Sequence, residues 1–281
     1  MIRGLYTGAS SMMAQMKRID VLSNNLANVD TPSYKKDSTI MKAFPEMLIR
    51  RINDDGVRVL PSGSYDLMPV VGELGTGVEV NEVYTRFTQG SLKRTENPFD
   101  LALEGGGFFS VQTPQGEKYT RNGSFLLDNE GYLVTKDGYR VLGENGPIRI
   151  KKNNFVVDEN GNVFQNNQYA DDPQRLVSME ENEWNQTQLV DTLKICRFPE
   201  KRFVKKTGES LYIETEKSGQ AFILTENRPE VKQGFIEASN VNPVREMVDL
   251  IEVHRNYEAN QKMVQAHDSA LGQSINQVGK I

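Results

Sequence analysis

Apolar residues recur at alternating spacings of three and four at both ends of this chain, and at neither end is the pattern interrupted by proline or glycine runs. Near the N-terminus the repeating positions are Ile2, Leu5, Ala9, Met12, Met16, Ile19, Ser23 and Leu26. Near the C-terminus Leu250, Tyr257, Val264, Leu271 and Val278 return every seven residues, with Met247, His254, Gln261, Asp268 and Ile275 between them. This is the a/d spacing of a coiled-coil helix. The first helix should stop before Asp30-Thr31-Pro32, because a residue preceding proline is driven out of the helical region. Asn242-Pro243 suits the start of the second and Gly279 its end. At 1.5 Å per residue the second helix would be on the order of 50 Å long, too long to be buried by one small domain.

The two seams suggest that the helices pair. Closing a flexible loop of some two hundred residues costs roughly 5 kcal/mol, less if a folded middle holds the ends close, whereas each fully buried Leu or Met returns about 1.5 to 3 kcal/mol. A continuous seam would win. Gln261 and Asp268 interrupt this one, since each must be desolvated or left at an edge. The expectation is marginal pairing in the isolated chain and firm pairing once neighbouring molecules cover the remaining faces.

Between the helices the period changes from seven to two. Val78 to Phe87 alternates apolar and polar residues, and Leu101-Ala102-Leu103, Phe108 to Val111, Ser124 to Leu127 and Tyr132 to Thr135 read as short strands. Asn122-Gly123, Asp137-Gly138, Asn145-Gly146 and Asn160-Gly161 offer positive-φ turn positions between them. The predicted fold is α+β, with N- and C-terminal coiled-coil helices pairing and a central, mostly antiparallel β domain. Its divisions are a helix and its following segment at 1–36, an irregular connector at 37–76 with room for a short helix before Asn53, the β domain at 77–225, and the C-terminal segment and helix at 226–281. Within the Asn/Gln-rich part of the β domain, Asn153 to Gln188, the stretches Asn166-Asn167-Gln168 and Asp171-Asp172-Pro173 are more loop than sheet.

With 37% hydrophobic and 25% charged residues in 281, the composition is that of an ordinary globular protein with one or two cored domains. A formal charge of -5 gives no electrostatic footprint for nucleic acid or an anionic membrane. Neither is expected as a partner, and no apolar run approaches the length of a membrane span. Gly4 to Met16 is broken by Thr7, Ser10, Ser11 and Gln15, so it lacks the apolar core of a cleavable signal. The single Cys196 allows neither an internal disulfide nor a cysteine metal cluster, and reads as a small buried hydrophobe beside Leu193 and Ile195.

Several stretches invite a chemical reading and fall short of it. Glu104-Gly105-Gly106-Gly107 resembles a phosphate loop, but a strand follows it where a helix N-terminus is required, so a tight turn is expected. Asp158-Glu159-Asn160-Gly161 puts Val156 where a calcium loop needs its first acidic ligand, so a hairpin is expected. His254 and His267 are too far apart along a helix to converge on a metal, and His254 reads as a seam or interface residue. No nucleophile elbow is present, and Glu180, Glu181 and Glu183 read as a solvated face. No catalytic, cofactor or metal-binding residue is expected. A cell-wall glycan hydrolase would need paired acids in a cleft, and a monomeric binding module would need terminal helices stably folded alone.

Three motifs carry a more specific signal. Ser23-Asn24-Asn25-Leu26-Ala27-Asn28-Val29-Asp30-Thr31-Pro32 with Tyr34-Lys35 resembles the N-terminal signature of the bacterial flagellar axial proteins, the rod and hook family. Gln89 to Lys93, Asn97 to Leu103, Gly105 to Phe109, Tyr119 to Phe125 and Gly131 to Val134 resemble that family's β domain. Gln233 to Asn242, Glu246-Met247-Val248, Ile251 and Arg255 to Asn260 resemble its C-terminal signature. The resemblance implies a structural subunit of the basal-body rod, most similar to the proximal type, with a distal rod or hook-type protein as the alternative. It also implies assembly with itself and other rod subunits through the terminal helices, and export by the flagellum's own type III apparatus. The expected assembly interface is Leu5, Met12, Met16, Ile19, Asn24, Asn25, Leu26 and Asn28 on the first helix and just beyond it, and Leu250, Tyr257, Val264, Leu271 and Val278 on the second. For the three asparagines, register-fixing hydrogen bonds and simple helix termination stand level.

Overall fold

The computed structural model describes residues 2–51, 57–61, 63–66, 70–150, 155–166, 187–208, 210–225 and 228–278. Asp54-Asp55-Gly56, Pro69, Asn167-Gln168, Asp171 to Pro173, the three glutamates 180, 181 and 183, and Gly279 lie outside them. The chain divides into two compact units: Met1–Leu26, Asp37–Tyr84 and Pro243–Ile281 form one, Ala27–Lys36 and Thr85–Asn242 the other.

The first unit is built on helix α1, Ile2–Ala27, and helix α2, Pro243–Val278. α1 stops where the sequence requires, and the chain then turns twice, Thr31 N–H donating to the Asn28 carbonyl and Tyr34 N–H to that of Thr31. α2 opens on its proline, whose missing N–H would have had no helical partner. The intervening part of this unit is more regular than a connector. Asp37–Ala43 pairs with Val78–Thr85, Met47–Arg50 runs antiparallel to Val70–Leu74, and Val57–Leu60 runs antiparallel to Gly63–Asp66. A strand therefore stands where a short helix had room. Four residues make less than one stable helical nucleus, whereas pairing with Val70–Leu74 satisfies their backbone at once.

The second unit is a β domain. Its main sheet has nine strands and runs in space Phe125–Leu127, Leu133–Thr135, Arg140–Val141, Phe108–Thr113, Gly116–Thr120, Leu211–Ile213 and Lys205–Gly208. Ile195–Arg197 also pairs with Phe108–Thr113 and carries Phe222–Ile223 on its other side. Every pairing in this sheet is antiparallel. The central strand is covered on both faces. Phe109 and Val111 point into a cluster with Leu101, Phe125, Leu133 and Ile195, while Phe108 points into an aromatic cluster with Tyr119, Phe198 and Tyr212. In the latter, Tyr119 and Phe198 meet edge-to-face at 5.0 Å, the arrangement the ring quadrupoles favour.

Asp158–Gly161 is the turn of a hairpin, closed by Gly161 N–H donating to the Asp158 carbonyl, between Phe155–Val157 and Asn162–Asn166. Gly161 there has a φ of 81° and Gly138 one of 84°, as their turns predict. Gly123 differs, because its φ is not positive. A Cβ at this position would overlap the carbonyl oxygen of Leu101, which accepts no displacement because it is part of the core strand. Close backbone approach, not turn conformation, fixes glycine here. Gly123→Ala should therefore destabilise the domain by at least about 3 kcal/mol in urea unfolding.

Cys196 is buried with its sulfur 3.2 Å from Ser110 Oγ, and burial pushes its thiol above the usual range. In the native protein it should resist a thiol reagent even at about pH 9, where an ordinary cysteine reacts readily. Release within minutes of adding denaturant would make it a reporter of global unfolding.

Candidate functional site

α1 and α2 lie antiparallel within the first unit. Ser11 Oγ accepts from Asn260 Nδ2 at 2.9 Å. A Cβ on Gly4 would fall 2.9 Å from His267 Nε2, and one on Gly8 would fall 2.8 Å from Met263 Cε and 3.1 Å from a Val264 methyl. At the far end Asn25 Nδ2 donates to Glu246 Oε2 at 3.2 Å. The face of α1 that meets α2 thus passes through Gly4, Gly8, Ser11 and Asn25. The apolar stripe expected to form the seam is offset from it by one residue, which on a helix is a rotation of about 100°.

This offset follows from size. Two glycines one turn apart let the helix backbones approach closely, which an Ala9 or Met12 face cannot do. The apolar stripe is left at the side of the pair: Leu5, Met12, Ile19 and Leu26 are half-buried, and Met16 is 52% exposed. On α2 one half of the expected seam is found, with Leu250, Tyr257, Val264 and Leu271 half-buried. The other half is displaced by one residue. Glu246 and Val253 are buried and Asn260 and His267 half-buried, whereas Met247, His254, Gln261 and Asp268 are exposed. His254 instead pairs on the surface with Glu258, 3.2 Å away. Ile275 is 69% exposed, and the side chain of Val278 lies outside the described residues.

The three asparagines separate. Asn25 is 1% exposed; its amide donates to the Asp37 carbonyl and accepts from the Asp37 N–H, both at 2.9 Å. With Glu246 as a further partner, it joins the last turn of α1, the first strand and the first turn of α2 within one unit. Asn28 accepts from Thr31 Oγ1 in the turn after the helix, and Asn24 is exposed.

Sequence reasoning counted Met247 in the seam between the helices and did not place Val248 or Ile251 at an interface. The three are 48%, 58% and 53% exposed and occupy adjacent positions on one side of α2. Val244 beside them is 70% exposed, and Tyr6 and Met13 on α1 are 67% and 73% exposed. Contiguous exposed apolar surface of this kind marks a binding face. The signal was present in the motif Glu246-Met247-Val248, but heptad counting turns Met247 toward the other helix and passes Val248 and Ile251 by.

The second unit holds a different centre. Glu237 is 1% exposed, and both its carboxylate oxygens are occupied: Oε1 accepts from Lys35 Nζ at 2.5 Å and from Gly90 N–H at 2.9 Å, and Oε2 accepts from Arg121 Nε at 2.9 Å. Lys35 also donates to the Thr88 carbonyl, and Arg121 donates to the carbonyls of Gly107 and Gly105, each at 2.7 Å. Burial holds the Lys35 ammonium below its ordinary value, against the pull of Glu237 and with the Arg121 charge acting in the same direction as burial. Nearby, Asn240 accepts from Lys36 N–H at 2.8 Å and donates to the Arg86 carbonyl at 2.8 Å, while Ser33 N–H donates to the Glu237 carbonyl at 2.7 Å. Lys35, Arg121 and Glu237 come one each from the N-terminal, β-domain and C-terminal motifs.

An antiparallel helix pair with an uncovered apolar face, together with a β domain that joins both flanking segments through one buried carboxylate, defines a structural subunit of an assembly. Comparison with known proteins makes the class specific. Residues 5–35 match the family model of the flagella basal body rod protein, 102–165 that of the flagellar hook protein FlgE/F/G D1 domain, and 232–278 that of the flagellar basal body rod FlgEFG protein C-terminal region. The chain is 35% identical to the flagellar hook-basal body complex protein FlhO of Bacillus subtilis, with 100% of each chain covered. It is 33% identical to the flagellar basal-body rod protein FlgG of Borreliella burgdorferi, with 97% of each covered, and 30% identical to FlgG of Bacillus subtilis, with 98% of this chain and 99% of that one covered. The chain belongs to the flagellar basal-body rod protein family, as its three motifs led us to expect, and is a structural component of the flagellar basal body.

Removing the buried anion leaves two cations without a counter-charge. Glu237→Gln should lower stability by about 3 to 5 kcal/mol in urea unfolding. The double variant Glu237→Gln with Lys35→Met should recover part of that loss.

Proposed function

We propose that the chain acts as a purely mechanical subunit, with no catalytic role, that polymerises through α1 and α2 with copies of itself and with other rod subunits into a torque-transmitting shaft. The uncovered face of Met247, Val248 and Ile251 carries this reading. Torque transmission needs repeated contacts stiff enough to resist twisting, and interdigitated helix faces supply them. Family membership supports the choice of other rod subunits as partners. In this reading Leu5, Met12, Met16, Ile19 and Leu26 on α1 and Leu250, Tyr257 and Leu271 on α2 flank the internal contact and extend the outward face. Asn24 and Asn28 belong to the surface near it, while Asn25 fixes the geometry from inside. Such a contact does not close on itself, so something other than this interface limits rod length. Export by the flagellar type III apparatus fits the same reading.

Met247→Asp tests it. An exposed position should cost under about 0.5 kcal/mol, so circular dichroism and thermal unfolding of the purified variant should match the parent. Motility of a strain relying on this variant should be lost. Val264→Asp should differ by also weakening the α1–α2 contact at Gly8. A motile strain carrying Met247→Asp at normal levels would remove the proposed face from the assembly.

A further inference from the structure

Beside the Glu237 centre the β domain opens a cleft of about 280 Å³, lined by Lys35, Arg121, Lys201, Gln89 and the Gly105-Gly106-Gly107 turn. The charges around it do not balance. Three cations, Lys35, Arg121 and Lys201, line it, and both oxygens of the neighbouring Glu237 carboxylate are already engaged by Lys35, Arg121 and the Gly90 N–H. Among the described residues no carboxylate pairs with Lys201, and burial, followed by the charges of Arg197 and Arg121, holds its ammonium below the ordinary value. Arg121 and Lys35 are 6% and 1% exposed, so an excess of two positive charges sits in and beside a partly desolvated site. An uncompensated buried charge is among the costliest features a fold can retain.

Donor capacity is also left over. A guanidinium has five N–H groups and an ammonium three. Arg121 spends three, on Glu237, Gly107 and Gly105. Lys35 spends two, on Glu237 and Thr88. Lys201 stands over the glycine turn, its Nζ 2.8 Å from where a Cβ on Gly106 would lie, so any side chain there would displace it. The glycine turn therefore positions cations: its carbonyls hold Arg121 in place and its lack of side chains gives Lys201 room.

We infer that this cleft is an oxyanion site, in which Lys201, with the spare donors of Arg121 and Lys35, binds a phosphate or a carboxylate. The site goes beyond the axial-subunit reading and does not depend on it. The shared chemistry has two sources, a free anion of the surroundings or an acidic side chain of another copy.

Thermal unfolding of the full-length protein in inorganic phosphate, against chloride of equal ionic strength, tests the site. About 20 mM phosphate should raise the midpoint by roughly 3 °C in a saturable manner. Lys201→Met should abolish the shift and Lys201→Arg should retain it; both replace a half-exposed side chain and should fold. A phosphate effect that is absent, non-saturable or equal in Lys201→Met would overturn the site. The sources are then distinguished by sedimentation. Self-association that phosphate weakens in the parent, and that Lys201→Met weakens without phosphate, assigns the natural ligand to a carboxylate of a second copy. Phosphate binding with no effect on association assigns it to a free anion.

Discussion

The carboxylate of Glu237 is the constraint on which the β-domain unit depends for holding its two end segments to its sheet. It lies six residues before α2 begins, and its partner Lys35 lies eight residues after α1 ends. Arg121 adds the sheet to the same contact, and its remaining donors fasten the glycine turn. Segments separated by some two hundred residues are thus gripped at one buried point, and the entropy of closing that loop is offset within a folded domain. An apolar contact would bury area without direction. A carboxylate with charged donors on both oxygens also fixes the direction from which each segment reaches it.

The helices divide their surfaces between two tasks. Toward each other they present glycines, Ser11, Asn260 and the Asn25–Glu246 contact, small or polar groups that fix register at close range. Outward they present Tyr6, Met13, Met16, Met247, Val248 and Ile251. Putting the larger hydrophobes outside is unfavourable for an isolated molecule, since each forgoes burial. It becomes favourable only if another molecule covers them. Methionine suits such a face because its unbranched side chain adapts to more than one neighbour.

Much of the architecture was legible from residue pattern. The two helices, their boundaries at Ala27 and Pro243, the strand Phe108 to Val111, the Asp158–Gly161 hairpin and the burial of Cys196 all follow from local rules. The strand at Met47–Arg50 did not, because a four-residue apolar run takes its conformation from whichever partner reaches it. The seam was half legible. Leu250, Tyr257, Val264 and Leu271 are half-buried, but Gln261 and Asp268 yielded their places to Asn260 and His267. Heptad counting rewards hydrophobicity, whereas close packing rewards small size, and at Gly4 and Gly8 the second criterion won.

The sequence by itself determined the family, the α+β class and the presence of two long helices, since each rests on local periodicity or contiguous motifs. Only the tertiary structure decided which face of each helix turns inward, and that Lys35, Arg121 and Glu237 meet. Helix rotation is set by the shape of the partner surface, and a buried ion pair is set by long-range juxtaposition. Neither leaves a period in the chain, so a lysine, an arginine and a glutamate in three separate motifs read as ordinary surface charges until the fold brings them together.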